Sequence, residues 1–259
     1  MDEIGLVELT DELLGTHSLH HISPGQVVKA MILNGLGFVS APLYLFSEFF
    51  EGKPVEHLLG AGITTAHLND DRLGRVLDRL FEYGTTPFLL KVAMQAVRRF
   101  GVKVSQCHLD STSFALEGEY ASEKGSDSAT EQETPQAVEI CRGYSRDHRP
   151  ELKQFLVNLI SSADGGIPVC FKAGSGNEMD SQTFAGLMVA FAEQWEIPAL
   201  IVADAAFYSA TNLQEVGRLP WLSRVPQTLK AAQMLIGRAV EPLSEMPCDL
   251  KGYRLWQQR

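Results

Sequence analysis

Two short stretches, "QCHLDSTSFA" at 106–115 and "ALIVADAAFY" at 199–208, each lead an apolar run into a single aspartate, Asp110 and Asp204. In both, the run then gives way to small and polar side chains. One aspartate at the end of a strand ordinarily forms a turn or caps a helix. Two that converge at one edge of a sheet offer the hard oxygen ligands that Mg²⁺ takes, with water or a substrate phosphate completing the shell. Mn²⁺ accepts the same donors. Two such ions about 4 Å apart activate an attacking hydroxyl and stabilise the leaving oxygen in phosphodiester displacement. That chemistry requires elements that bring the two carboxylates together.

From Val102 onward the chain is written in short β-rich runs. "VKVSQCHLD" and "SFALEGEY" read as successive strands, and "KQFLVNLIS" and "IPVCFKAGS" flank the turn-rich "SADGG" as a hairpin. "DSQTFAGLMVAFAEQW" has helical spacing, "ALIVAD" is a short buried strand, "SATNLQEVG" a helix and "WLSRV" a further strand. An antiparallel hairpin followed by helix-covered parallel strands makes a mixed α/β sheet, whose sites gather at the carboxyl ends of strands. Both aspartates are expected there. "EGEYASEKGSDSATEQETPQAVE", poor in aliphatic residues, reads as an extended surface insert.

Residues 1 to about 101 read as helices. In "ISPGQVVKAMILNGLG", Ser23 is a candidate N-cap, Pro24 the first helical residue and Gln26 its capping-box partner. "NDDRLGRVLDRLFEYG" sets Leu73, Val76, Leu77, Leu80 and Phe81 on one face, with Gly84 as a stop. "TTPFLLKVAMQAVRRFG" repeats that grammar, with Arg98 and Arg99 at the negative end of the dipole and Gly101 closing it. The expected division is a helical domain over 1–101 and an α/β core over 102–259.

The 259 residues are 45% hydrophobic, enough for one large α/β domain or two smaller ones, and carry a formal charge of −10. That charge excludes a general nucleic-acid coat, which gains affinity by releasing counterions from phosphates with Lys and Arg. DNA contact has to be local. The candidates are Arg142, Arg146, Arg149 and Lys153, just after the insert, and Arg224 and Lys230 in the basic stretch that runs from Arg218 to Arg259. Cys107, Cys141, Cys170 and Cys248 form no C-x-x-C pair, which points to a reduced cytoplasmic setting. No apolar run reaches the roughly 18 residues that a membrane span needs.

In their order along the chain, "HLDSTSF", "GYSRDHRPELKQF", "GNEMDSQTF", "IVADAAFYS" and "WLSRVP" resemble the catalytic domain of DDE-type bacterial insertion-sequence transposases. The branch they resemble is the IS-four group, in which a helical domain precedes a ribonuclease-H-like core. The resemblance spans roughly residues 102 to 230. It implies that Asp110 is the first catalytic acid, bridging two metal ions, and that Asp204 is the second and holds one of them. It also implies Mg²⁺ (or Mn²⁺) as cofactor and DNA, as transposon ends and target, as partner. A homo-oligomer and a nucleoid-associated location are compatible with it. The family's third acid is a glutamate in a helical Y-x-x-R-x-x-x-E signature. Here only the glutamates Glu241 and Glu245 follow "WLSRVP", in "VEPLSEMPCDLKG", where Pro242 and Pro247 make the stretch unsuited to a helix. "GYRLWQQR" resembles the start of the β-rich insertion that precedes the glutamate in that group, so the expectation is a truncated, inactive copy.

Other motifs carry less. His17, His20 and His21 have metal-like spacing but precede the helix start at Ser23, on a loop. "KAGSGN" lacks phosphate-loop spacing, and the glycines of "NGLGFVS" follow a helix rather than a strand. Cys107 reads as a core thiol. A phosphatase of the haloacid-dehalogenase type would need a second aspartate two residues after the first, where Thr112 stands. A non-catalytic DNA-binding derivative of a transposase is the other class left open.

Overall fold

The structure is a computed structural model. It describes residues 1–259 except 18–20, 37–41, 121–136, 146–147, 196–198, 238–243, 247–254 and 258–259. Most of the expected insert, and Arg146, lie outside the described residues.

The first helices are α1 (Leu6–Leu14), α2 (Pro24–Leu36), α3 (Phe46–Phe49), α4 (Val55–Leu59), α5 (Asp70–Tyr83) and α6 (Thr85–Phe100). The start of α2 is the reciprocal cap that its sequence predicts. Gln26 N donates to Ser23 Oγ at 3.2 Å, and Ser23 N donates to Gln26 Oε1 at 2.8 Å. Asn69 caps α5 by accepting from Arg72 N at 2.9 Å. Gly101 ends α6 in the left-handed region, at φ 65°, a conformation glycine adopts without penalty. Along α5, Leu73 and Val76 are fully buried, but Leu77 and Phe81 keep 39% and 44% of their surface exposed. The apolar stripe is therefore wider than its covering neighbours.

Five strands form the main sheet: β1 (Gln106–Leu116), β2 (Lys153–Ser162), β3 (Pro168–Ser175), β4 (Leu200–Ala203) and β5 (Trp221–Ser223), in the order β3-β2-β1-β4-β5. β1, β2 and β3 are antiparallel in turn, whereas β4 and β5 run parallel to β1. This is the ribonuclease-H-like mixed α/β sheet, preceded by helices. α7 (Asp180–Trp195) crosses from β3 to β4, and α8 (Ala210–Val216) joins β4 to β5. α9 (Lys230–Ile236) and a hairpin of β6 (Ser244–Met246) and β7 (Leu255–Gln257) follow.

One face of the sheet is closed by α7. Phe184, Met188 and Phe191 pack with Cys107, Leu109, Ile160, Ile201 and Ala203, and Leu90 and Ala93 of α6 join the same cluster. A separate cluster from Ile22 to Val76 fills the space between the preceding helices. Burial pushes the thiols of Cys107 and Cys170 up to about 11, as befits core thiols. The opposite sheet face is more open. Phe114, stacked on Phe155 with ring centroids 5.2 Å apart, and Leu222 remain 49% and 55% exposed there.

The structure corrects one reading of the strands. "VKVSQCHLD" and "SFALEGEY" are not two strands, because β1 runs unbroken from Gln106 to Leu116 and pairs with β2 from Cys107↔Ser162 to Leu116↔Lys153. Ser111, Thr112 and Ser113 looked like a break but include neither Gly nor Pro, so the pleat continues through them. Asp110 therefore lies inside a strand, not at its end.

The continuity has a cost on the covered face. Ser111 and Asn158 are opposite each other, 3% and 1% exposed, yet neither Ser111 Oγ nor the amide of Asn158 has a hydrogen-bond partner. Buried polar groups without partners destabilise a fold. The double change Ser111→Ala with Asn158→Leu is expected to raise stability by about 2 kcal/mol, read as a higher urea midpoint with an unchanged slope. A lower midpoint would show that the pair is satisfied after all.

Candidate metal and DNA site

Asp110 and Asp204 come together through strand register. β4 runs parallel to β1 with Leu109 beside Ala203, and β4 ends at Ala203. Both of those residues are buried against α7, whereas Asp110 and Asp204, the next residue on each chain, are exposed. Asp204 keeps extended backbone angles, φ −71° and ψ −178°, so the pairing direction holds for one more step. Neighbouring strands are about 4.8 Å apart, which sets the two α-carbons side by side and their carboxylates on the face away from α7. The break that creates the site is the end of β4, not the end of β1.

Each aspartate uses one oxygen locally. Asp110 Oδ1 accepts from Ser111 N at 2.8 Å, and Asp204 Oδ1 accepts from Ala206 N at 2.9 Å as the cap of a single 3-10 turn, Ala205–Phe207. A carboxylate has room for about four acceptor contacts on its two oxygens, so the capping role and a metal-ligand role are compatible. His108 is two residues before Asp110 on the same exposed side of β1. Among the described residues, no group of three or more His, Cys, Asp and Glu side chains is placed to hold a metal ion. Glu241 lies outside the described residues, and Glu245 falls on strand β6 rather than on a helix. The donor set thus fits one hard cation in part, and a second ion would need further oxygens.

The basic residues divide into two places. Arg224 follows β5 next to Ser223, which pairs with Ala203 and whose Oγ donates to the backbone oxygen of Asp204 at 2.7 Å. Arg224 and Lys230 are exposed. Arg142, Arg149 and Lys153 gather at the far end of β1–β2, where Leu116 pairs with Lys153, about 20 Å along the strand from Asp110. There Arg149 is held by the Glu151 carboxylate, Arg142 Nε donates to the Glu151 carbonyl at 3.3 Å, and Lys153 Nζ donates to the Tyr120 carbonyl. The Arg149 guanidinium hydrogen bond keeps the Glu151 carboxyl below its ordinary range.

Comparison with known proteins adds the following. Residues 1–94 match the model of a family described as a domain of unknown function, DUF4277. The match covers α1 to α5 and part of α6, and not the sheet. No curated protein matches the chain. Among solved structures, the chain is similar to the piggyBac transposase in its synaptic complex with hairpin DNA, at 10% identity and a TM-score of 0.34, over 92% of this chain and 44% of that one. It is also similar to the Mos1 transposase in its paired-end complex with the left transposon end, at 9% identity and a TM-score of 0.29, over 83% of this chain and 61% of that one. The chain spans less than two thirds of the length of either transposase. Among the described residues, no helix is long and apolar enough to cross a membrane.

The cluster of His21, His67, Arg72 and Arg75 was not legible in the sequence. It lines a cavity of about 270 Å³ among the amino-terminal helices, and its histidines come from segments far apart in the chain.

Proposed function

We propose that this chain carries the metal-binding core of a DDE-type transposase of the IS-four group, a protein that hydrolyses and transfers DNA phosphodiester bonds at the ends of an insertion sequence. The observation that supports it most is the parallel register that sets Asp110 beside Asp204 where β4 stops. A bound Mg²⁺, or Mn²⁺ in its place, would supply Lewis acidity to the attacking and leaving oxygens. The chain's own share is placement. Asp110 and Asp204 would hold the ion at a rigid sheet edge, and Arg224, beside them, would face the DNA backbone.

The second reading is a DNA-binding derivative that does no chemistry. The absence of a third metal-binding side chain among the described residues favours it. Both readings require DNA contact by a chain whose net charge is −10, so the contact must rest on few cations. Fluorescence anisotropy with a duplex is expected to give an affinity that falls with salt on a log–log slope of about −4.5, for the five described basic residues. Arg224→Ala should make that slope shallower by about one. No binding at low salt, or binding that ignores salt, would count against both readings.

A further inference from the structure

The cavity among the helices brings two arginines and two histidines together. Its deepest cation is Arg72, only 8% exposed, whose Nη2 donates to the Ile22 carbonyl at 2.8 Å. Arg75 lies three residues further along α5 on the same rim, and Arg79 one turn beyond, its Nη1 3.3 Å from the Gly15 carbonyl. Burial first, then Arg79 and Arg75, push the Arg72 guanidinium below its ordinary value, with Asp11 opposing. Like charges on one helix face repel one another, and an anion beside Arg72 and Arg75 relieves that repulsion.

Two imidazoles line the same cavity. The rings of His21 and His67 stack with centroids 5.1 Å apart and planes within 15°. The Thr64 amide donates to His67 Nδ1 at 3.1 Å, so that nitrogen is the acceptor and the neutral ring carries its proton on Nε2. His67 thereby offers an N–H donor. The acid on the lining is Asp71, 82% exposed and 3.7 Å from Arg75. Its hold on Arg75 is a weak surface pair that a stronger acceptor displaces.

We infer that this cavity binds a phosphate oxyanion, with Arg72 and Arg75 as the charged donors and His67 Nε2 as the neutral one. A tetrahedral phosphate presents several acceptor oxygens at once, which suits guanidinium forks and a ring N–H lining one cavity. The phosphate can come from a DNA backbone or from a free phosphate group. The site is separate from the Asp110–Asp204 pair and does not depend on metal chemistry there.

The test is a titration of the whole chain with inorganic phosphate, followed by the ring ¹H–¹³C NMR signals of His21 and His67, with chloride at equal ionic strength as control. Phosphate is expected to shift both rings saturably and chloride is not. Arg75→Gln, on an exposed side chain, should weaken phosphate binding about tenfold. Asp71→Asn, which removes the competing carboxylate, should tighten it about threefold. Both variants avoid the buried Arg72, so neither outcome is confused with misfolding. A DNA duplex that displaces the phosphate identifies a backbone source, and one that fails to displace it identifies a free phosphate group. No saturable shift, or affinities unchanged in both variants, would overturn the inference.

Discussion

Supercoiled DNA incubated with this chain and Mn²⁺ is expected to stay supercoiled, and Asp110→Ala or Asp204→Ala should leave that outcome unaltered. Phosphodiester displacement of the proposed kind uses no covalent protein intermediate, so the protein contributes only ion placement and substrate alignment. In the proposed function Asp110 and Asp204 would be two of the ligands, and among the described residues no group of three or more His, Cys, Asp and Glu side chains is placed to hold an ion. Loss of one ligand or oriented group commonly lowers a rate by about 10²–10³. An incomplete set affects both the position of the ion and its charge, which puts nicking below detection. Metal-dependent nicking that both substitutions abolish would reverse this expectation. It would mean that Glu241, Glu245 or a partner chain completes the set.

A second large effect is expected far from the sheet, at Gly25. This residue is buried in the first turn of α2, where the helix meets α1. Its amide donates to Asp11 Oδ1 at 2.7 Å, which fixes the two helices at close range. A methyl group at Gly25 would come within 2.2 Å of the Val7 carbonyl oxygen and 2.8 Å of two other Val7 backbone atoms. Backbone cannot move aside as a flexible side chain can, so α1 and α2 would have to separate. Gly25→Ala is expected to cost about 3 kcal/mol and to lower the thermal midpoint by about 10 °C. The control is Gly74→Ala inside α5, where an added methyl meets nothing within 4 Å. There the midpoint should rise, because alanine is the better helix former by about 1 kcal/mol. Equal midpoints for the two variants would contradict the close approach.

Local chemistry explains what could be read before the structure was known. The cap at Ser23 and Gln26 and the stop at Gly101 depend on residues within a few positions of one another, and the structure reproduces them. Asp110 and Asp204 stood out because each follows a run with a buried face, and register then made them neighbours. Long-range partners decided what was missed. Ser111–Thr112–Ser113 looked like a break because their types favour turns, yet ten residues of β2 pair along β1 and carry the strand through. Leu77 and Phe81 continue the helical stripe, but the neighbours of α5 do not extend far enough to cover them. The phosphate cavity was invisible for the same reason, since His21 and His67 meet only when Ile22 is seated against Arg72. Among the described basic residues, Arg224 is the one next in sequence to Ser223, whose hydroxyl donates to the Asp204 carbonyl.

The central claim is that Asp110 and Asp204 hold one divalent cation between them, and Mn²⁺ titration followed by electron paramagnetic resonance tests it most directly. With two carboxylates and no third among the described residues, the dissociation constant should be on the order of a millimolar, since few charged oxygens offset the dehydration of the ion. Asp110→Asn and Asp204→Asn, each nearly isosteric, should separately weaken binding about tenfold. Mn²⁺ binding that neither substitution changes, or that only one of them changes, would contradict a shared site.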